Sequence, residues 1–495
     1  MSRTTEESGA ETRPPSSASR NRWRTLAIVG TAQLMVVLDA TIVNIALPSA
    51  QHDLGFSNGS RQWIVTAYSL AFGSLLLLGG RIADLAGRKS VFLVGLAGFA
   101  AASAAGGAAA SFSMLVTARA AQGLFGALLA PAALSLLTTA FTEPKERAKA
   151  FGIFGAIAGT GGAVGLLLGG ILTEYLDWRW CLYVNVAFAA VALLTGARYL
   201  DGGRPTRRPQ LDLPGTLLAS SGLFCLVYGF SNAEAHEWGS PMTWGFLAAG
   251  GVVLALFALW QSKSAHPLLP LRIVLDGNRA GAYTGMLVAG AGMFGVFLFL
   301  TYYLQEILGY SPVTTGCAFL PMIALMVVTS VVTSNRLIPK LGAKPVVPVG
   351  MALAGAAMLW MTTLDTGSGY ATQVLPMLLV SGVGLGMVVS PSMNFAAYGV
   401  GPDDAGVASA MVNTSQQIGG SVGTSLLNTL ATTSAAHYLT VRRPTPQVLA
   451  EAQIHSFSTA YRWSAVFFAV GLVLTALLYR PGAARPHTEN APVVL

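Results

Sequence analysis

Residues 34–48 read LMVVLDATIVNIALP. One carboxylate, Asp39, stands in an otherwise apolar run, with Thr41 and Asn44 close behind it. A charge inside hydrocarbon is costly, faces a cavity or a partner, and is functional by default. The matching cation is Arg119, in ARAAQGLFGA (118–127). At 1.5 Å per helical residue, Asp39 lies about 13 Å below the end of its helix near Pro48, and Arg119 about 9 Å below the end of its own. The two depths nearly match, so the residues can meet. Burial favours a neutral acid and a neighbouring guanidinium favours the anion. A balance of the two suits a carboxyl that takes up and releases a proton. A static ion pair that fixes one helix against another, with Thr41 and Asn44 sharing the network, suits the same residues. Asp212 and Glu306 fall at span ends, and none of the 6 His lies mid-span, so a histidine relay is not expected.

The elements that must hold such a pair are membrane helices. The chain is 53% hydrophobic and only 10% charged, against about 25% charged in soluble domains. Apolar stretches of about 20 residues recur along it, the length that crosses the bilayer core. The expected fold class is all-α, with fourteen spans near 25–48, 62–80, 90–110, 113–139, 148–172, 180–199, 212–231, 242–261, 280–304, 313–334, 345–364, 371–396, 404–433 and 459–479. Residues 1–24, rich in Ser, Arg, Pro and Glu, read as a disordered tail without a cleavable signal, and 481–495 as a second tail. Lys and Arg concentrate in alternate loops, as at Arg81, Arg88 and Lys89 or at Arg204, Arg207 and Arg208. That bias places both termini in the cytoplasm. The net charge of +8 then means attraction to the inner leaflet rather than nucleic-acid binding. Arg61, Arg179, Arg442, Arg443 and Arg462 are left on the outer side. The segment 435–458 is the longest outer loop.

Cys181, Cys225 and Cys317 are scattered, with no disulfide or metal spacing. GRKS (87–90) lacks the spacing of a phosphate-cradling loop. No cofactor and no metal is therefore expected, and an ion gradient is the expected energy source. Gly161, Gly165 and Gly169 recur every four residues, with Gly170 beside them. Such a small-residue stripe lets helix backbones touch.

The chain also repeats itself. GRIADLAGRKSVFLVG (80–95) aligns without gaps on NRLIPKLGAKPVVPVG (335–350), matching Arg81 to Arg336, Gly87 to Gly342, Lys89 to Lys344 and Gly95 to Gly350. GGAVG (161–165) echoes GGSVG (419–423). Repeated halves are the sequence sign of a transporter rocking around a midplane site. The expected division is 25–200 and 266–480 as two six-helix bundles, with spans 7 and 8 (201–265) inserted between them.

These motifs resemble the major facilitator superfamily. GGRIADLAGRKS looks like its loop 2–3 motif, and LDATIVNIALP like the helix 1 motif of its fourteen-helix drug:proton antiporter-2 branch. ARAAQGLFGA resembles the helix 4 Arg-x-x-Gln-Gly motif. WRWCLYVNV (178–186) and LQEILGYSPVTTGCAFLP (304–321) also look like that branch. Leu85 stands where the loop motif carries Arg, Pro339 where the first copy has Asp84, and Leu166 where the helix 5 motif carries proline.

The resemblance implies alternating-access export of an amphipathic drug, antibiotic or secondary metabolite in exchange for protons, with no chemistry on the substrate. Uptake or export of one specific metabolite stays open; a lipid-modifying enzyme would need clustered acids or ligands that the sequence lacks. It implies Asp39 and Arg119 as the coupling pair. It implies a conformational latch at Gly80, Asp84, Gly87, Arg88 and Lys89, with Asp84 bridging to the other half. Residues implied to line the substrate cavity are Asn44, Tyr68, Gln122, Phe294, Phe297, Tyr302, Asn394, Asn413, Gln416 and Gln417. The expected partners are a small amphipathic substrate, protons and the lipid bilayer of a bacterial cell membrane, for a protein that works as a monomer.

Overall fold

The computed structural model describes residues 17–141, 143–200, 212–236, 239–264, 267–397, 405–440 and 445–481. These residues form helices and connections, with no strand among them. The long helices are α1 (Ser17–Leu54), α2 (Gln62–Ala86), α3 (Arg88–Gly107), α4 (Phe112–Ala140), α5 (Pro144–Tyr175), α6 (Trp180–Tyr199), α7 (Leu213–His236) and α8 (Pro241–Lys263). After the short α9 (Leu271–Val274) come α10 (Gly277–Tyr302) and α11 (Pro312–Val332). The short α12 (Ile338–Leu341) precedes α13 (Ala343–Met361), α14 (Leu375–Ala397), α15 (Ala405–Thr440) and α16 (Pro446–Leu478).

Among the described residues, 11 helices are long and apolar enough to cross a membrane. This is a multi-pass membrane protein. The expected spans 2, 5 and 13 correspond to α2, α5 and α15, which are not among those 11. The apolar stretch of α2 takes in Gln62–Leu76, α5 is rich in Gly, and α15 carries Ser, Thr, Asn and Gln along its length.

Several boundaries differ from the sequence reading. The first helix starts at Ser17, so residues 17–24 of the expected tail are helical, and residues 1–16 lie outside the described residues. The expected outer loop 435–458 is largely the continuation of α15 and α16. Tyr438 holds them together there, donating to Glu451 at 2.9 Å, with its ring tilted against that of His455 at 5.2 Å. Apolar length marks only the part of a helix in hydrocarbon, and these helices run past it.

The packing repeats. In the first set α1 packs on α5 and α6, α4 on α2 and α3, and α3 on α6. In the second α10 packs on α15 and α16, α14 on α11 and α13, and α13 on α16. Each relation in one set has its counterpart in the other. The glycine echo has a physical counterpart too. A Cβ at Gly165 would lie 2.0 Å from Thr41 Oγ1, and one at Gly423 would lie 2.7 Å from Ala291 Cα. Both segments press the fifth helix of a set onto its first. Gly87 and Gly342, aligned in the repeat, both turn the chain between helices at positive φ, +94° and +78°, a region that favours glycine.

The inserted α7 lies against both α2 and α15. Ser220 donates to Ser74 O at 2.9 Å, and Thr429 to Phe230 O at 3.4 Å. A clasp at Asp212 ties α7 and α8 to the chain that follows. Asp212, expected to be solvated at a span end, is only 6% exposed. Its carboxylate accepts from Gln261 Nε2 at 2.6 Å, Trp260 Nε1 at 2.7 Å, Gly215 N–H at 3.0 Å and Leu268 N–H at 3.2 Å. Burial alone pushes this carboxyl up, but the four donors outweigh it and hold it below the ordinary range. The folded value is thus the lower one. Its stabilisation is complete above the ordinary value of about 3.9 and is lost as pH falls through the folded value. Asp212→Asn is expected to flatten the fall of the thermal midpoint between about pH 5 and pH 3. Equal slopes in the two proteins would contradict this.

Candidate functional site

Asp39 sits in the middle of α1 and is 0% exposed. Arg119, on α4, is 2% exposed and donates from Nη1 to Asp39 Oδ2 at 2.6 Å. The other carboxylate oxygen accepts from Asn185 Nδ2 of α6 at 2.7 Å and from Gln122 Nε2 at 2.9 Å. Around Arg119, Nη1 also donates to Gln122 Oε1 at 2.7 Å and Nε to Ile64 O of α2 at 3.0 Å, while the Tyr68 ring lies 4.5 Å away. Gln122 reaches α3 as well, donating to Ser103 Oγ at 2.7 Å. One network thus ties α1, α2, α3, α4 and α6 together. Each side chain hydrogen-bonded to Asp39 among the described residues is a donor. In this conformation the pair is sealed inside the first helix set and faces neither water nor the second set.

The sequence reading brought Asp39 and Arg119 together but missed Asn185 and Ser103. It also placed Gln122 and Tyr68 on the substrate wall, whereas the structure turns both onto the ion pair. Helical spacing carried a signal: Gln122 follows Arg119 by three residues and shares its face. Thr41 and Asn44 bond within α1, Thr41 Oγ1 to Leu38 O at 3.1 Å and Asn44 Nδ2 to Ala40 O at 3.1 Å. Neither joins the carboxylate.

The remaining wall residues are dispersed. Phe297 is buried against Phe319, ring centroids 5.1 Å apart. Phe294, Gln416 and Gln417 are half-buried, and Asn394 and Asn413 are exposed. Asn394 donates to Ser334 at 3.2 Å. Tyr302 lies instead where the two helix sets meet.

That junction follows the α1–α2 loop. Tyr302 donates to Gln51 Oε1 at 2.5 Å, and Gln305 to Ile45 O at 3.1 Å. The Val313 N–H donates to Glu174 at 3.0 Å. Asn428 donates to Asn58 O at 3.4 Å and to Gly59 O at 3.2 Å. Arg61, expected to be an ordinary outer-side charge, is only 3% exposed here. Its Nε donates to Asn428 Oδ1 at 3.2 Å, and its guanidinium lies 4.1 Å from the Tyr302 ring centroid. We call this closed end the α1–α2 rim.

At the opposite end, Lys89 donates to Ala197 O at 2.9 Å and Leu200 O at 2.7 Å, capping the last turn of α6. Arg88 opens α3, and Gly80 lies in α2, where a Cβ would meet Pro131 at 3.6 Å. Asp84, the implied bridge of the latch, falls in the last turn of α2, and its side chain lies outside the described residues. On α5, Gly161, Gly165 and Gly169 face α1, while Gly170 faces α11, 2.7 Å from Pro312 O by its absent Cβ. The stripe therefore serves close packing on two sides.

The family model described as Major Facilitator Superfamily matches residues 29–424. The chain belongs to that superfamily. As a member of the major facilitator superfamily it is a transporter and not an enzyme. It is similar to a puromycin resistance protein of Streptomyces alboniger, 49% identical over 92% of this chain and 90% of the relative. A cephamycin export protein of Amycolatopsis lactamdurans is 41% identical over 82% of this chain and 84% of the relative. Among solved structures, an auto-inhibited peptide transporter of the POT family superposes with a TM-score of 0.65 at 16% identity. It covers 94% of this chain and 99% of that one. A bacterial homologue of the human lysosomal transporter Spinster gives 0.63 at 15% identity, over 92% and 97%. These structures share the fold.

Proposed function

We propose that this transporter exports an amphipathic antibiotic or related small molecule across the bacterial cell membrane, driven by protons moving the other way. Residues 25–200 and 266–480 are the two moving bodies, carrying twelve of fourteen crossings, with 201–265 supplying the inserted pair. Both termini are cytoplasmic, so the α1–α2 rim is the outer one. The conformation described is then the one shut towards the outside.

The observation that carries the proton reading is the Asp39–Arg119 pair, a carboxyl and a guanidinium buried against each other in a transporter. Relatives named for puromycin resistance and cephamycin export support the substrate class. Asp39 is sealed in the state described, so proton exchange belongs to the state in which the outer rim opens and the helices around it shift. Because the ion pair lies inside one body, coupling runs through the packing of α1, α4 and α6 rather than through contact between proton site and substrate.

Expression in a host stripped of its own efflux pumps is expected to raise the inhibitory concentration of at least one amphipathic antibiotic, puromycin among those tested. The increase is expected to collapse with a protonophore. Unchanged susceptibility across a broad panel, with the protein present in the membrane, would contradict the reading.

A further inference from the structure

We infer that Arg61 is the pin of the closed outer rim, a residue that sets how readily the two helix sets part there. The inference rests on the alternating-access reading above and extends it to a named residue.

Arg61 caps the start of α2, where a basic residue usually projects into water. Here it is buried between the sets, with no carboxylate within ion-pair distance among the described residues. Glu306 acts on it only at longer range, and a buried cation with no carboxylate in contact must be held by closer groups. Two aromatic faces and one amide hold it: the rings of Tyr302 at 4.1 Å and Phe299 at 5.7 Å, and Asn428 Oδ1 at 3.2 Å. All three belong to the second set, on α10 and α15, whereas Arg61 belongs to the first.

The partners are themselves committed across the rim. Tyr302 bonds back to Gln51 of α1, and Asn428 bonds back to the carbonyls of Asn58 and Gly59. Arg61 therefore joins the two crossings into one connected unit, Gln51–Tyr302–Arg61–Asn428–loop. Five residues further along, on α2, Thr66 meets Ser425 at 3.3 Å, continuing the contact down the α2–α15 seam. Just beyond Tyr302 the helix widens into a π-turn, Tyr303–Ile307, a feature common at functional sites. Gln305 of that turn makes the next crossing, to Ile45 O.

Opening the rim pulls the guanidinium off both rings and off the amide and returns it to water. Rehydration favours the open state and the lost contacts favour the closed one. The planar guanidinium is weakly hydrated and suited to aromatic faces, so the contacts prevail.

The test measures the distance across the rim in the full chain in nanodiscs. Spin labels go on cysteines introduced at the exposed His52 and Ala436, with Cys181, Cys225 and Cys317 replaced by Ala. Arg61→Ala is expected to raise the ratio of open to closed rim roughly tenfold. Asn428→Ala is expected to shift it the same way by less, and serves as the decisive variant where Arg61→Ala fails to fold. Arg61→Lys keeps the charge but not the planar fork and is expected to restore closure only partly. An unchanged distance distribution, or a shift towards the closed state, overturns the inference. A wild-type rim that holds one distance under every substrate and pH gradient overturns the alternating-access reading instead.

Discussion

Asp39→Asn is expected to leave little folded protein in the membrane. The substitution removes the only carboxylate on Arg119 among the described residues and strands a guanidinium that is 2% exposed. Breaking a buried pair by removing one partner costs about 3–5 kcal/mol. The network makes this worse, because Asn185 and Gln122 would face an amide whose nitrogen donates where the carboxylate accepted. The check is the thermal midpoint and the monodisperse yield of the purified variant. Arg119→Gln is expected to fail in a similar way, stranding the carboxylate. Wild-type yield and midpoint in either single variant would show that the pair does not bind the helices together. Loss of transport in a single variant is therefore ambiguous between coupling and collapse.

Gly419→Ala is expected to disable the protein by a different route. A Cβ there would lie 1.9 Å from Leu287 O, 2.6 Å from Leu287 C and 2.9 Å from Leu287 Cα. These are backbone atoms of α10, so no side chain can swing aside. The helices α10 and α15 must separate along a tightly packed contact, at a cost of about 1–3 kcal/mol or more for overpacking. Transport rate in vesicles and thermal midpoint are both expected to fall. The effect is expected to exceed that of Gly162→Ala, where the nearest atom, Thr41 Cγ2, is 3.9 Å away. Equal behaviour of the two variants would contradict the close-packing account.

The sequence made the ion pair legible because charge is scarce in these helices and helical rise converts position into depth. It made the repeat legible through Gly87 and Gly342, whose backbone conformation the structure shows to be shared. Other features were hidden for physical reasons. Asn185 and Ser103 are ordinary polar residues in sequence, and only the packing of α6 and α3 on α1 and α4 turns them towards the carboxylate. Gln122 and Tyr302 look like cavity residues by type, but type does not say which neighbour a helix face meets. Arg61 reads as a loop charge because its partners lie more than two hundred residues away. Asp212 reads as a solvated span end because the four donors around it come from three separate segments.

The most direct test of proton coupling uses Asp39→Asn combined with Arg119→Gln. Removing both charges avoids a stranded ion, and replacement of a whole buried pair is often neutral for stability. The double variant is to be reconstituted in vesicles and assayed for substrate movement with and without an imposed pH gradient. The account predicts a folded protein that still carries substrate down its own concentration gradient but gains nothing from the pH gradient. Substrate accumulation at the wild-type level under the pH gradient would show the pair to be a strut and contradict the account.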